Sequence, residues 1–363
     1  MTIDGVTETN AAPHERRSLK PVLDALPPKV LENPTWHGLW YFGRDLAMYV
    51  GLLAAICFVP WWGQLLLLIP LTLVVAGLFI VAHDAAHLAL FKSRRLNSIV
   101  GHFGMVPSWH VYEGWVLGHN RVHHTFTVRE GYDFVWQPAT PQSWAQTGWW
   151  RRLVHRVEWS WVGAGAYYLH QVWWKKMVVG SPPPRWVKAT RRDRFIVLFS
   201  VLGLIGLFMG IGAIEGRGLT GQLWLACVTV ILPFLTFSYV IGSFVHVHHV
   251  DPDLQWYRSD EWDKFRAQMQ GTTVLRASKA LNFFIHWIMV HVPHHVDMRI
   301  PMYRLEAAAT ALKKAFPETI VDRKLRFRDF VRNTRACKIY DYDQARWLRY
   351  RDVRKMLAGT QTR

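Results

Sequence analysis

The chain has 363 residues, of which 51% are hydrophobic and 14% aromatic, and it contains 20 tryptophans. It carries 43 Lys and Arg against 26 Asp and Glu. Apolar runs with this basicity favour an integral membrane protein with basic cytoplasmic segments. A nucleic-acid-binding protein is disfavoured, because no recognisable binding module gathers the basic residues. The three cysteines form no CxxC pair, which disfavours a cysteine-bound metal cluster.

The N-terminal segment, residues 1–44, is predicted to be a cytoplasmic tail. Its first twenty residues have charges of both signs and no apolar core, which is unlike a signal peptide.

Apolar runs of nearly the length needed to cross a bilayer then follow in two pairs. The predicted spans are about 46–60, 63–82, 195–214 and 222–245. The sequence "PWWG" at Pro60–Gly63 breaks the first run into a hairpin. Basic residues flank the other ends of both pairs, so the positive-inside rule places both termini and the intervening segments in the cytoplasm, most simply at the cytoplasmic membrane.

These features predict an all-α integral membrane protein in which two transmembrane hairpins support a cytoplasmic helical cap. The membrane domain is expected over 45–348, followed by a basic C-terminal tail at 349–363. Aromatic and basic stretches of the cap, such as "WHVYEGWVLG" and "WWKKMVVG", suit helices that lie on the membrane surface or pack within the cap.

Histidines cluster just beyond the ends of the predicted spans, all on the same predicted side of the membrane. The clusters are His83 and His87; His119, His123 and His124; His246, His248 and His249; and His291, His294 and His295. Residues three or four apart share a helix face, so most of these imidazoles can converge on one point. Solitary histidines without such spacing are predicted to be packing residues: His37, His102, His110, His155 and His170.

Clusters of this kind predict a metal site, and adjacent histidines at the end of a cluster can serve two different metal ions. Nine histidines from these clusters are too many for one zinc ion, whereas two iron ions with four or five nitrogen ligands each would use nine. Iron beside a membrane and open to oxygen indicates oxidation of an apolar substrate.

Three histidine motifs resemble those of the membrane fatty acid desaturase family: "HDAAH" at 83–87, "HNRVHH" at 119–124 and "HVPHH" at 291–295. The segment "HHVDPDLQWYRSDEW" resembles the region after the fourth span in the omega-6 type. The resemblance covers about residues 40–347 and implies a di-iron centre. The implied ligands are His83, His87, His119, His123, His124, His249, His291, His294 and His295.

Four further residues are candidates for supporting roles. Asp84 and Asp251 adjoin ligand positions and could orient imidazoles through the second ring nitrogen. His286 is an extra ligand or a hydrogen-bond donor near the third motif, and His248 is a weaker candidate of the same kind. The sequence has Leu88 where many omega-6 members carry a further histidine.

The resemblance implies oxygen-dependent removal of two hydrogens from a fatty acyl chain. No haem, flavin or iron–sulfur motif is present, so electrons are expected from a separate protein such as a ferredoxin or a flavodoxin-type donor. The basic surface could dock that donor or bind membrane lipid headgroups. A hydroxylase, a ketolase or an oxidative decarboxylase could share the scaffold. A metal transporter is disfavoured, because the predicted spans contain no ionisable residue at mid-span. A haem protein is disfavoured, because a bis-histidine haem needs facing histidines within the bundle and the predicted spans contain none.

Overall fold

The computed structural model describes residues 17–360, without the side chains of 359 and 360. The first sixteen residues of the predicted N-terminal tail, and 361–363 of the predicted C-terminal tail, lie outside this range. The α-helices are α1 Lys20–Asp24, α2 Thr35–Phe58, α3 Trp61–Ala86, α4 Arg94–Met105, α5 Tyr112–Trp115, α6 His124–Phe126, α7 Pro141–Gln146, α8 Trp149–Glu158, α9 Ala164–Tyr167, α10 Pro184–Ile214, α11 Leu219–Ala226, α12 Leu232–His249, α13 Lys264–Gln270, α14 Lys279–Ile285, α15 His291–Val296, α16 Leu305–Ala315, α17 Phe327–Ala336 and α18 Tyr350–Thr360.

Several of these helices are continued by other helical segments. Three π-helices extend α5, α9 and α11, at Val116–His123, Tyr168–Val178 and Cys227–Ile231. Three short 3₁₀ turns lie at Pro28–Leu31, Val106–Ser108 and Met302–Arg304.

Four helices are long and apolar enough to cross a membrane, which confirms the predicted number of spans. They are Thr35–Phe58, Trp61–Ala86, Pro184–Ile214 and the continuous helix Leu219–His249. The apolar segments of the second and fourth are 61% buried within the protein, against 22% and 17% for the first and third. The second and fourth helices therefore form the inner layer of the bundle, and the other two expose apolar side chains such as Phe199 and Leu202 outward.

The first and third helices begin well before the predicted spans. Helix α2 starts at Thr35 and α10 at Pro184, because each apolar run is preceded by amphipathic sequence that continues the same helix. Helix α2 ends before Pro60, which precedes the first residue of α3, as the "PWWG" break predicted. Because α2 starts early, it also includes Arg44 and the buried Asp45, which lie just before the predicted first span.

The polar ends of the inner helices are covered by the remaining short elements. Two small sheets accompany them: β1 (Thr273–Arg276) pairs in parallel with β2 (Val321–Lys324), and β3 (Ile339–Asp341) pairs antiparallel with β4 (Arg346–Leu348). Helix α18 buries Val353 against Trp144. Much of the segment predicted as a C-terminal tail is therefore a packed helix within the described residues.

Candidate metal centre

Five separate elements bring the nine predicted ligand residues to one place. His83 lies in the last turn of α3 and His87 directly follows that helix, His119 and His123 lie in the π-helix after α5, and His124 begins α6. His249 is the last residue of α12, and His291, His294 and His295 lie in α15. Eight of the nine are at most 4% exposed, and His119 is partly buried.

The nine imidazoles form two groups, and within each group the candidate ligand nitrogens lie within 4.8 Å of one another. The first group contains His83, His87, His119, His124 and His294. The second group contains His123, His249, His291 and His295. The adjacent residues His123 and His124 belong to different groups, as do His294 and His295, so neighbouring positions in one motif serve two centres.

A π-helix determines how the second motif divides between the groups. The backbone N–H of His124 donates to the carbonyl of His119, five residues earlier. One turn therefore separates His119 from His124, and their Nε2 atoms approach to 3.1 Å. The α-helical spacing expected from the sequence pairs His119 with His123, whereas the structure places these two residues in different groups. The additional residue in the turn accounts for the difference.

The imidazoles of the second group are held through Nδ1. His123 Nδ1 lies 3.0 and 3.1 Å from the two carboxylate oxygens of Asp133. The Nδ1 atoms of His249 and His291 face the carbonyls of Gly271 and Ile288, at 3.0 and 3.2 Å. Because these oxygens only accept, Nδ1 of each ring carries the proton and Nε2 presents its lone pair.

The fourth ring of this group is held by two side chains. His295 Nδ1 lies 3.0 Å from Gln268 Oε1 and 3.2 Å from Thr127 Oγ1. The amide oxygen accepts, so His295 also presents the lone pair of Nε2.

In the first group the Nε2 atoms crowd together. His83 Nε2 is 2.8 Å from His119 Nε2 and 3.3 Å from His87 Nε2. Neither ring nitrogen of the fully buried His294 has a protein partner. Lone pairs brought this close repel unless a cation or a proton lies between them, which suits a metal ion bound among the rings.

The donor chemistry fits iron or another first-row transition metal. The Nε2 atoms of His249 and His295, both buried, also have no protein partner. Burial and, after it, the neighbouring imidazoles hold the pKa values of His119, His124, His294 and His295 well below the usual histidine value. The rings are therefore neutral near pH 7, which is the form that binds a metal.

The candidate supporting residues have different positions. Asp84 Oδ1 lies 3.3 Å from His83 Nδ1, while its Oδ2 accepts the backbone N–H of Met302. Asp251 instead contacts Arg323 and Asn333. Among the described residues, no hydrogen bond joins Asp251 to an imidazole, so the structure does not show the expected orienting role.

Neither further histidine near these motifs belongs to a group. His286 Nε2 lies 2.5 Å from Asp45 Oδ2, where the chain is in the left-handed region with φ 48°. His248 stacks on His291 with ring centroids 3.8 Å apart, and neither of its nitrogens has a protein partner.

The solitary histidines mostly make ordinary packing contacts. His110 lies 2.7 Å from the Tyr168 hydroxyl, and His155 lies 2.8 Å from the Tyr350 hydroxyl. His102 and His170 contact Asp193 and Glu158.

Sequence reasoning missed Asp133, which is fully buried and holds His123. Its carboxylate also accepts the backbone N–H groups of Val128 and Val135. Asp133 lies ten residues after His123 in a turn. No helical spacing rule connects the two, so only the folded turn identifies the pair.

An apolar cavity adjoins both groups. Its walls include Phe79, Ile80, Val172 and Ile241, and His83, His119, His123, His248, His249 and His291 line its inner end. Apolar and aromatic walls with a few convergent polar groups are typical of a ligand pocket. An apolar chain in this cavity would lie directly against the imidazoles.

Four helices apolar enough to span a membrane and two buried imidazole groups beside an apolar cavity are features of a membrane protein that could hold metal ions. The family model "Fatty acid desaturase" matches residues 60–325. The chain therefore belongs to the fatty acid desaturase family, whose members are oxidoreductases.

Named relatives support the assignment. An sn-1 oleoyl-lipid 12-desaturase of Picosynechococcus sp. is 27% identical over 350 residues, covering 94% of this chain and 95% of the relative. A protein of the same name from Anabaena variabilis is 29% identical, covering 74% of each chain. A chloroplastic omega-6 fatty acid desaturase of Arabidopsis thaliana is 27% identical, covering 83% of this chain and 64% of the relative.

Proposed function

We propose that this protein introduces a double bond into a fatty acyl chain carried on a membrane lipid, using two iron ions held by the nine histidines. The observation that carries the proposal is the apolar cavity that ends at both imidazole groups. The names of the relatives extend the proposal to an oleoyl chain and a new double bond at position 12.

In this proposal His83, His87, His119, His124 and His294 hold one iron ion, and His123, His249, His291 and His295 hold the other. Bound iron would supply the oxidising chemistry, in which dioxygen, two electrons and two protons take two hydrogens from adjacent methylenes and yield two waters and a C=C bond. The cavity walls hold the chain against the imidazoles and exclude water. Asp133 and the carbonyls of Gly271 and Ile288 fix the ring orientations.

Electrons come from a separate ferredoxin or flavodoxin-type protein in this proposal. The supporting observation is the sequence, which contains no motif for a haem, flavin or iron–sulfur group. The excess of Lys and Arg over Asp and Glu suits an acidic donor. We place the imidazole groups and both termini on the cytoplasmic side of the cytoplasmic membrane, on the strength of the basic segments that flank the helices.

The direct test is fatty acid profiling of cells that express the chain in a host supplied with oleic acid. Expression of the wild type is expected to add a dienoic acid of unchanged chain length. The H294A variant removes a fully buried ring of the first group and is expected to abolish that product.

A matched control is H155F, since His155 is a partly buried histidine outside both groups. It is expected to retain the dienoic product. If the wild type instead makes mainly a hydroxylated acid, or an alkene one carbon shorter, the proposed desaturation is wrong. The protein would then catalyse one of the related oxidations.

A further inference from the structure

The outer end of the cavity carries a single cation. Lys176 lies in the π-helix after α9 and lines the cavity together with Phe134 and Met177. Among the described residues that line the cavity, Lys176 alone is exposed. The other lining residues are apolar or aromatic, or are the imidazoles of the inner end and their neighbour His248. The cavity therefore extends from buried imidazoles to one accessible ammonium group.

The Lys176 ammonium has no hydrogen-bond or carboxylate partner among the described residues. Its Nζ lies 5.1 Å from the ring centroid of Phe134, which leaves its N–H donors available. The neighbouring Lys175 differs, because its Nζ donates to Gln171 Oε1 at 2.8 Å and it does not line the cavity. Two adjacent lysines on one helix therefore have different surroundings.

The helix that carries Lys176 is held in position by Arg194 of α10. The Arg194 guanidinium donates to the carbonyls of Met177 and Gly180, at 2.7 and 2.5 Å. These bonds give hydrogen-bond donors to carbonyl groups at the C-terminal end of the helix. They also keep the cavity-facing side of the helix, and with it Lys176, beside Phe134.

From this arrangement we propose that Lys176 binds an anionic oxygen group in the head of the acyl substrate while the acyl chain occupies the cavity. The inference rests on the proposed function, and it adds that substrates with an anionic head group are preferred over neutral ones. The ester that joins an acyl chain to a lipid is uncharged, so the anion must come from a phosphate or, in a free acid, the carboxylate. A lysine ammonium binds either group as a point charge.

The test measures KM and kcat of the iron-loaded, purified protein with an added reductase and ferredoxin. One oleoyl chain is presented in three forms: phosphatidylglycerol, free oleate, and neutral galactosyldiacylglycerol. The K176Q variant is expected to raise KM about three- to tenfold for an anionic form, as for one solvent-accessible ion pair. Its KM for the neutral lipid and its iron content are expected to be unchanged, and K176R is expected to restore the anionic KM.

The matched control is K175Q, which removes the neighbouring charge and should leave every KM unchanged. The forms of substrate separate the sources of the anion, because phosphatidylglycerol carries a phosphate and free oleate carries a carboxylate. Equal KM values for wild type and K176Q on all three forms would overturn the role of Lys176 while leaving desaturation in place. An iron-loaded wild type that desaturates none of the three would instead overturn the proposed function.

Discussion

At the scale of single residues, the second imidazole group is ordered by oxygen atoms behind its rings. Asp133 fixes the orientation of the His123 ring, because both carboxylate oxygens approach Nδ1 and each also accepts a backbone N–H. A carboxylate in this position fixes the ring and raises the basicity of the opposite nitrogen. The ligand positions themselves could be predicted from motif spacing, whereas Asp133, Gly271 and Gln268 could not, since only tertiary structure brings them to the rings.

The D133N variant is expected to bind iron about ten- to a hundredfold more weakly, because it removes the charge behind His123. Iron affinity would be measured by titrating metal-stripped protein. D251N is the control: Asp251 is equally buried but contacts Arg323 and Asn333. D251N should lower the unfolding temperature while keeping the wild-type iron affinity. Equal iron affinity of D133N and the wild type would contradict the role of Asp133.

At the scale of the elements, helix geometry decides which rings meet. The α-helical spacing is correct for His83 and His87, which end an ordinary helix and share a group. It fails at "HNRVHH" because Val116–His123 is a π-helix, and the sequence carries no recognised signal for one. Before the predicted C-terminal tail the chain forms the β3–β4 hairpin, in which Tyr340 is buried against Trp347.

Helix α3 also positions the chain that leads into α15. A Cβ on Gly77 would lie 2.7 Å from the carbonyl oxygen of Phe284 and 2.9 Å from Asp45 Oδ2. Gly77 therefore permits the close approach at which Asp45 meets His286, five residues before His291. The buried pair secures the start of the third histidine motif against the first two membrane helices.

The G77A variant is expected to destabilise the protein by about 1–3 kcal/mol, because backbone lies in the way of the added methyl group. The measurement is thermal unfolding in detergent. G203A provides the comparison, since a Cβ at Gly203 of α10 would meet no atom within 4 Å. G203A should unfold at the wild-type temperature or slightly above it. If G77A unfolded at the same temperature as G203A, the backbone near Gly77 would accommodate the added methyl group, and the expected destabilisation would be wrong.

At the scale of the whole molecule, the four spans and their pairing follow from apolar run length and the Pro60 break. The first residues of α2 and α10 cannot be predicted from the apolar runs, because a helix can begin in amphipathic sequence before the apolar run. The cavity was beyond prediction altogether. Its walls come from α3, α12 and the π-helices that contain His119 and Val172, elements that are distant in sequence.

We infer that nine imidazoles from five elements hold two metal ions. The most direct measurement is the metal content of the purified, active protein by inductively coupled plasma mass spectrometry, normalised to the chain concentration. We predict two iron ions per chain, one for each group. Full activity with one iron ion per chain, or with zinc in place of iron, would contradict the account.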